Sequence, residues 1–439
     1  MSETLIRGQI LHCLDEPEQH DEAVEYIEDG LLWIQDGYIK ATGSYTQLSG
    51  GLNKRQLDAV QDQRKCLIVP GFVDCHIHYP QTQMIAAYGT QLLDWLNTYT
   101  FPVEAGFADA AHARQVAQVF LDQLVRNGTT TALVFCSVHP QSVDAFFSIA
   151  QARQMRMIAG KVMMDRHAPP AVTDTAASSY HDSKALIQRW HGVDRLSYAV
   201  TPRFAPTSTP AQLQAAGRLL REHPGVYLHT HLSENQDEVK WVKSLFPTAA
   251  HYLDVYDQAG LLGRRSVFAH GIYLCDNECE RLAQTESVLA HCPTSNLFIG
   301  SGLFPMRRIA AAGIRIGMGT DVGGGTSFSM LQTVAEAYKV QQLQGHNLTP
   351  EQAFYLATLG GAKALDLDTV IGNLKPGKEA DFCLLDPAAT NLTAFRSAHC
   401  RDWRELLFVL QILGDDRTVK TTYILGKPQA RLPVAALQQ

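Results

Sequence analysis

Two histidines one residue apart, His76 and His78, close an apolar run over residues 67–78. On an extended strand, side chains at i and i+2 share a face. The two imidazoles therefore project side by side from the strand's end. As neutral rings they are ready ligands for a borderline divalent metal such as zinc. Two histidines merely solvated at a strand tip would show the same spacing. What separates the two readings is whether other strands end in further ligands.

They do. A run over 226–234 carries His229 and His231 and reaches Glu234; one over 266–274 carries His270; one over 314–321 ends in Asp321. Zinc takes three or more protein ligands and keeps a position open for water. His76, His78 and His231 supply three nitrogens and Asp321 a carboxylate oxygen, and iron(II) accepts the same set. Asp321 could both touch the metal and take a proton from water. His270 could hold that water by a hydrogen bond, or be a ligand itself. Glu234, three residues after His231, could move a proton from water to substrate; the alternative is a charge at a helix N-terminus. His229 has the parity of His231 but lies deeper, which favours a core position. His291, ending a run over 287–292, reads as structural or as support for the site.

The elements that must position these residues follow from periodicity. From residue 67 onward, strand-like runs at 67–78, 130–135, 157–164, 196–203, 226–234, 266–274, 287–292 and 314–321 alternate with helical or loop segments. The helical patterns include 111–127, 141–154, 179–190 and 210–222. Eight such strands predict an α/β fold, a (β/α)8 TIM-type barrel, whose active site lies at the C-terminal strand ends. A helix over 349–365 ends it. Short strands at 5–11, 30–34, 38–42, 383–385 and 418–425 predict a small β-sandwich domain built from both chain termini. The expected division is 1–69 and 371–439 for that domain and 70–370 for the barrel.

Composition excludes several classes. The 439 residues are 46% hydrophobic and 18% charged, which predicts an ordered chain with a sizeable core. A formal charge of −7 without a Lys/Arg cluster gives no support for nucleic-acid or membrane-surface binding. Nine scattered cysteines, an odd number with no CxxC, predict free thiols in a reducing cytoplasm. No signal peptide and no membrane helix are expected.

Arg203 ends the fourth strand beside Phe204. Some binuclear barrel hydrolases place a carboxylated lysine there, so arginine argues for one metal; Lys161 is the one lysine that could reopen the question. A guanidinium matches the O6/N7 edge of guanine, with the neighbouring ring as a stacking face. A surface salt bridge is the plainer use of a loop arginine. Gln81, three residues past His78, could pair with a heterocycle edge or be solvated. Residues 92–102, with Trp95 and Tyr99, read mostly as a packed helix.

The stretch from Val69 to His78, with His231, His270 and Asp321, resembles the amidohydrolase superfamily, and Gly377 to Phe382 resembles that family's return into its β domain. The arginine at the fourth strand and the His231-Leu232-Ser233-Glu234 pattern look like its mononuclear deaminase branch. Within that branch, Gln81, Asp94 to Pro102 and Thr201 to Phe204 look like the guanine-acting members. The resemblance implies zinc on His76, His78, His231 and Asp321, and proton transfer by Glu234. It implies water or substrate contact by His270, and guanine contacts from Gln81, Arg203 and Phe204. It further implies hydrolysis of guanine to xanthine and ammonia in purine catabolism, by a homodimer. A pterin, a triazine or an adenosine-like nucleoside is the alternative substrate.

Overall fold

The computed structural model describes residues 2–17, 22–89 and 91–431. Alternating apolar residues near the N-terminus build three antiparallel strands, β1 (Glu3–Cys13), β2 (Val24–Gln35) and β3 (Tyr38–Ser44). Next, β4 (Gln61–Pro70) pairs parallel to β1. After Gly71 the chain leaves this sheet and begins another as β5 (Phe72–His78). The strand expected over 67–78 is thus two strands in two sheets. Glycine stands at the joint for a steric reason: a Cβ at residue 71 would collide with the Thr130 side chain.

The second sheet continues with β6 (Thr129–Phe135), β7 (Arg156–Gly160), β8 (Val162–Met163), β9 (Ser197–Pro202), β10 (Tyr227–Leu232), β11 (Ser266–His270), β12 (Val288–His291) and β13 (Arg315–Met318). They lie in chain order, every ladder parallel, with β8 paired to β9 alone. One expected strand, 157–164, is split into β7 and β8 at Lys161. Eight strand positions therefore form a nearly closed barrel. The seam between β13 and β5 is joined at the rim, where Asp321 N donates to His76 O and His78 N to Val322 O, both at 2.9 Å. Strands such as β5, β6 and β10 are buried along their whole length. That is why they read as continuous apolar runs rather than alternating ones.

Helices Ala110–Arg126, Pro140–Ala152, Ala176–Trp190 and Pro210–Glu222 occupy the expected segments. Asp109, Thr175 and Thr209 accept backbone N–H groups at three of their starts. The helix expected over 349–365 is two, Pro350–Ala357 and Leu359–Ala364, meeting at Thr358 with φ −129° and ψ −97°. A helix at Trp403–Leu413 was not foreseen.

The tail returns to the first sheet as β14 (Phe382–Leu385), β15 (Val419–Ile424) and β16 (Lys427–Pro428), in the order β16-β15-β14-β4-β1-β2-β3. Residues 432–439 of the expected terminal domain lie outside the described residues. Ile6, Ile10, Leu32, Ile68, Phe382 and Tyr423 share one core, so both termini are packed together. An ion network ties this sheet to the barrel. Arg195, just before β9, donates through Nη2 to Glu379 Oε2 at 2.6 Å and also pairs with Asp381. Arg156 Nε reaches the same Glu379 oxygen at 2.8 Å. Replacing Arg195 by alanine strands buried Asp381 without its cation, which should cost ~3–5 kcal/mol. Thermal melting should show Arg195→Ala well below wild type, while the exposed-pair variant Lys240→Ala stays close to it. Equal melting of all three would remove this network from the account of stability.

Candidate active site

At the barrel's C-terminal rim, side chains from β5, from β10 and from the turn after β13 converge. His76 Nε2 lies 3.1 Å and His78 Nε2 3.3 Å from Asp321 Oδ1. The two imidazole Nε2 atoms are 3.2 Å apart, and His231 Nε2 is 3.3 Å from that of His78. These four groups each offer a ligand atom within 4.8 Å of the others. All four side chains are largely shielded from solvent.

A cation fits this set on chemical grounds. His231 Nδ1 donates to Arg203 O at 2.7 Å, so its Nε2 carries a lone pair. His76 Nδ1 is held by His229 Nε2 at 2.7 Å, which turns the other ring nitrogen of His76 inward. Burial pushes the His78 imidazole down to about 3 and that of His231 well below its usual range. Burial opposes ionisation of Asp321, but His76 and His78 outweigh it and hold its carboxyl well below the ordinary value. The three imidazole nitrogens and the carboxylate oxygen face one another around a point that a divalent cation would fill. His229 is in the core as expected, and from there it fixes the orientation of the His76 ring.

The proton-transfer candidates stand beside this group. His270 Nε2 is 3.4 Å from Glu234 Oε2 and 3.8 Å from Asp321 Oδ2. Its Nδ1 bonds Asn296 Oδ1 at 2.8 Å. His270, Cys292 and Asp321 also offer ligand atoms within 4.8 Å, so the structure leaves His270 near enough to be a ligand. Burial, reinforced by the charge of Asp321, pushes the Glu234 carboxyl up to about 8. Ser301 Oγ donates to Glu234 Oε1 at 2.9 Å. The helix-capping alternative for Glu234 is taken by its neighbours: Asn235 caps helix Gln236–Leu245, and Glu238 reaches back to the Asn235 amide. Ser233, His270 and Asp321 all have left-handed backbones, with φ of 49°, 74° and 52°. For non-glycine residues that conformation is uncommon, and its clustering here is a mark of a site.

A cavity opens on these groups and is also lined by Gln81, Arg203 and Phe204. Leu92, Trp95 and Leu96 form part of its apolar wall while packing in a core cluster, so the segment read mostly as packed helix does both. Arg203 makes no surface salt bridge. It is buried, and its Nη1 donates to Glu104 Oε1 and Oε2 at 2.9 and 2.8 Å. Gln81 is not solvated either: its Nε2 donates to Glu104 Oε1 at 3.2 Å and its Oε1 accepts from Gly323 N at 3.1 Å. Lys161 turns elsewhere, pairing with Asp174 and with Val162 O. His291 is buried and stacks on Phe304 at 4.5 Å. Sequence reasoning missed Glu104, Asn296 and Ser301, none of which sits at a strand end. Only the acidic character of Glu104 inside an aromatic segment could have flagged one of them.

Comparison with known proteins agrees with this geometry. A model of the amidohydrolase family matches residues 67–428. The chain is 54% identical over 428 residues to guanine deaminase of Escherichia coli (strain K12), covering 96% of each. It is 36% identical to guanine deaminase of Mus musculus, over 92% of each. The solved structure of E. coli guanine deaminase matches with a TM-score of 0.95 and 52% identity, covering 98% of this chain and 99% of that one. That of guanine deaminase from C. acetobutylicum, with guanine bound in its active site, matches at 0.88 and 27%, covering 97% and 100%. Elemental analysis of the purified chain should find about one divalent metal per chain, and His231→Ala or Asp321→Asn should lower that content severalfold while far-UV circular dichroism is kept. Full metal retention in both variants would refute the ligand set.

Proposed function

We propose that this chain, which belongs to the amidohydrolase family, is a guanine deaminase that hydrolyses guanine to xanthine and ammonia. What carries the reading to this chain's residues is the single cavity that holds both a metal-ligand set and the buried Arg203–Gln81 pair. His76, His78, His231 and Asp321 would hold zinc, with iron(II) as the alternative, and His270 stands beside them. Bound there, such a metal lowers the pKa of a water to about 7 and so supplies a nucleophile at neutral pH.

The chain's own groups then divide the work. Arg203 and Gln81 orient the base by its polar edges, and Phe204 adds an apolar wall. Glu234 carries a proton at neutral pH, because its carboxyl sits at about 8. It delivers that proton to N3, which makes C2 electrophilic. With Nδ1 donating to Asn296, His270 presents Nε2 as an acceptor for an O–H of the attacking water. The water oxygen bonds to C2; one water proton goes to Glu234 in place of the one it gave to N3, Asp321 takes the other and passes it to the exocyclic amine, and the C2–N bond breaks to release ammonia.

Among the described residues no helix is long and apolar enough to cross a membrane. The enzyme is read, on the family resemblance, as a cytoplasmic homodimer, which sedimentation of the purified protein checks.

Spectroscopic assay should show guanine converted to xanthine, lost on chelation and regained with zinc, and little turnover of adenine, adenosine, a pterin or a triazine. Glu234→Gln should keep its metal while turnover falls about 10²- to 10⁴-fold; wild-type turnover in that variant would reject the proton-transfer role. The protonated form of Glu234 is the active one. It predominates below about 8 and is lost above it. The pH profile of kcat/KM should therefore decline on the alkaline side, and a flat profile through that range would contradict the assignment.

A further inference from the structure

We propose that Glu104 is a positioning residue that sets substrate specificity: it holds Arg203 and Gln81 in place and cancels the arginine's charge, so that the pocket offers hydrogen bonds to a neutral base without gathering anions. This rests on the guanine reading above.

Glu104 belongs to the short helix Phe101–Ala105 and is buried. Both of its oxygens accept from Arg203 Nη1, and Oε1 also accepts from Gln81 Nε2. Phe101, one turn earlier on that helix, lies beside the same guanidinium, whose Cζ is 5.4 Å from the ring centroid. One helix thus grips Arg203 by charge and by an aromatic face. Glu104 itself does not line the cavity, whereas Arg203 and Gln81 do. Any effect it has on a ligand passes through them. A guanidinium has five N–H donors. With Nη1 turned to Glu104, the donors on Nε and Nη2 remain for a ligand.

The charge balance matters as much as the position. An unpaired buried guanidinium would attract any anion, because Coulomb forces are weakly screened in such a pocket. Guanine is neutral. Xanthine carries a carbonyl in place of the amine, which makes its ring N–H more acidic. A paired arginine therefore favours substrate over ionised product.

The test is Glu104→Gln, which keeps size and removes charge, beside Glu104→Asp, which keeps charge and shortens reach. Wild-type guanine turnover is measured first, and its absence in metal-loaded protein would overturn the underlying reading rather than this inference. In Glu104→Gln we expect KM for guanine to rise about tenfold with kcat within about threefold, metal content unchanged. Inhibition by xanthine should tighten severalfold, increasingly as pH rises and xanthine ionises. In Glu104→Asp, KM should rise without tighter xanthine inhibition. Adding Glu104→Gln to Arg203→Ala should raise KM little further. A merely structural defect would weaken guanine and xanthine together. That outcome, an unchanged KM, or full additivity with Arg203→Ala would overturn the proposal.

Discussion

Four donor atoms suited to one cation, crowded into a space that water barely reaches, are the constraint around which this molecule is arranged. The backbone holds the His76 and His78 rings, the His231 ring and the Asp321 carboxylate together. Asp321 donates its own backbone N–H to His76 O, so the bond that closes the barrel seam also aims the carboxylate. Asp74, in the same strand as the first two histidines, clamps the residue before Asp321: its Oδ2 accepts from Thr320 Oγ1 at 2.5 Å and its Oδ1 from Thr320 N at 3.1 Å. Burial pushes the Asp74 carboxyl up to about 7, so the clamp is itself a group kept out of water. Metal binding at the centre would stabilise the seam.

The terminal sheet extends the same logic to the whole chain. β4 runs straight into β5, so the strand that carries His76 and His78 is anchored outside the barrel at its far end. Arg195, entering β9, is locked to Glu379 and Asp381 of the returning tail. The strand that ends just before Arg203 is therefore fixed at its entrance by the terminal segment and at its exit by Glu104. A rigid support of this kind is what a site needs when its donors must stay within a fraction of an ångström of their working positions.

What could be read from the sequence divides along a physical line. A parallel barrel strand is buried on both faces, so it announces itself as an apolar run, and a polar ligand at its end stands out against that background. His76, His78, His231, His270 and Asp321 were legible for this reason, and so was Glu234 by its distance from His231. Glu104, Asn296 and Ser301 lie in loops and short helices, where no periodicity marks which polar residue turns inward. Boundaries failed where a single residue decided them. Gly71 splits one apolar run between two sheets, and nothing in local hydrophobicity distinguishes the halves. Lys161 and Thr358 interrupt a strand and a helix for reasons that only their tertiary partners supply. His229 shows the converse: its burial was foreseen, but its bond to His76 depends on β5 and β10 facing each other across the barrel.

The pocket's charges also explain how so many ionisable groups coexist out of water. Arg203 is balanced by Glu104, Asp321 by the cation its neighbours would hold, and Glu234 by the proton that burial keeps on it. Each is compensated within a bond or two, so none demands a long-range partner. A neutral ligand enters such a site without upsetting any of these pairs, whereas an anionic one would compete with Glu104 for the guanidinium and with Asp321 for the cation. In the proposed mechanism charge would move only locally, from Glu234 to the ring and from water through Asp321 to the departing amine. A site balanced pair by pair is suited to chemistry that begins with a neutral molecule and passes protons over short distances, because every transfer replaces one compensated arrangement by another.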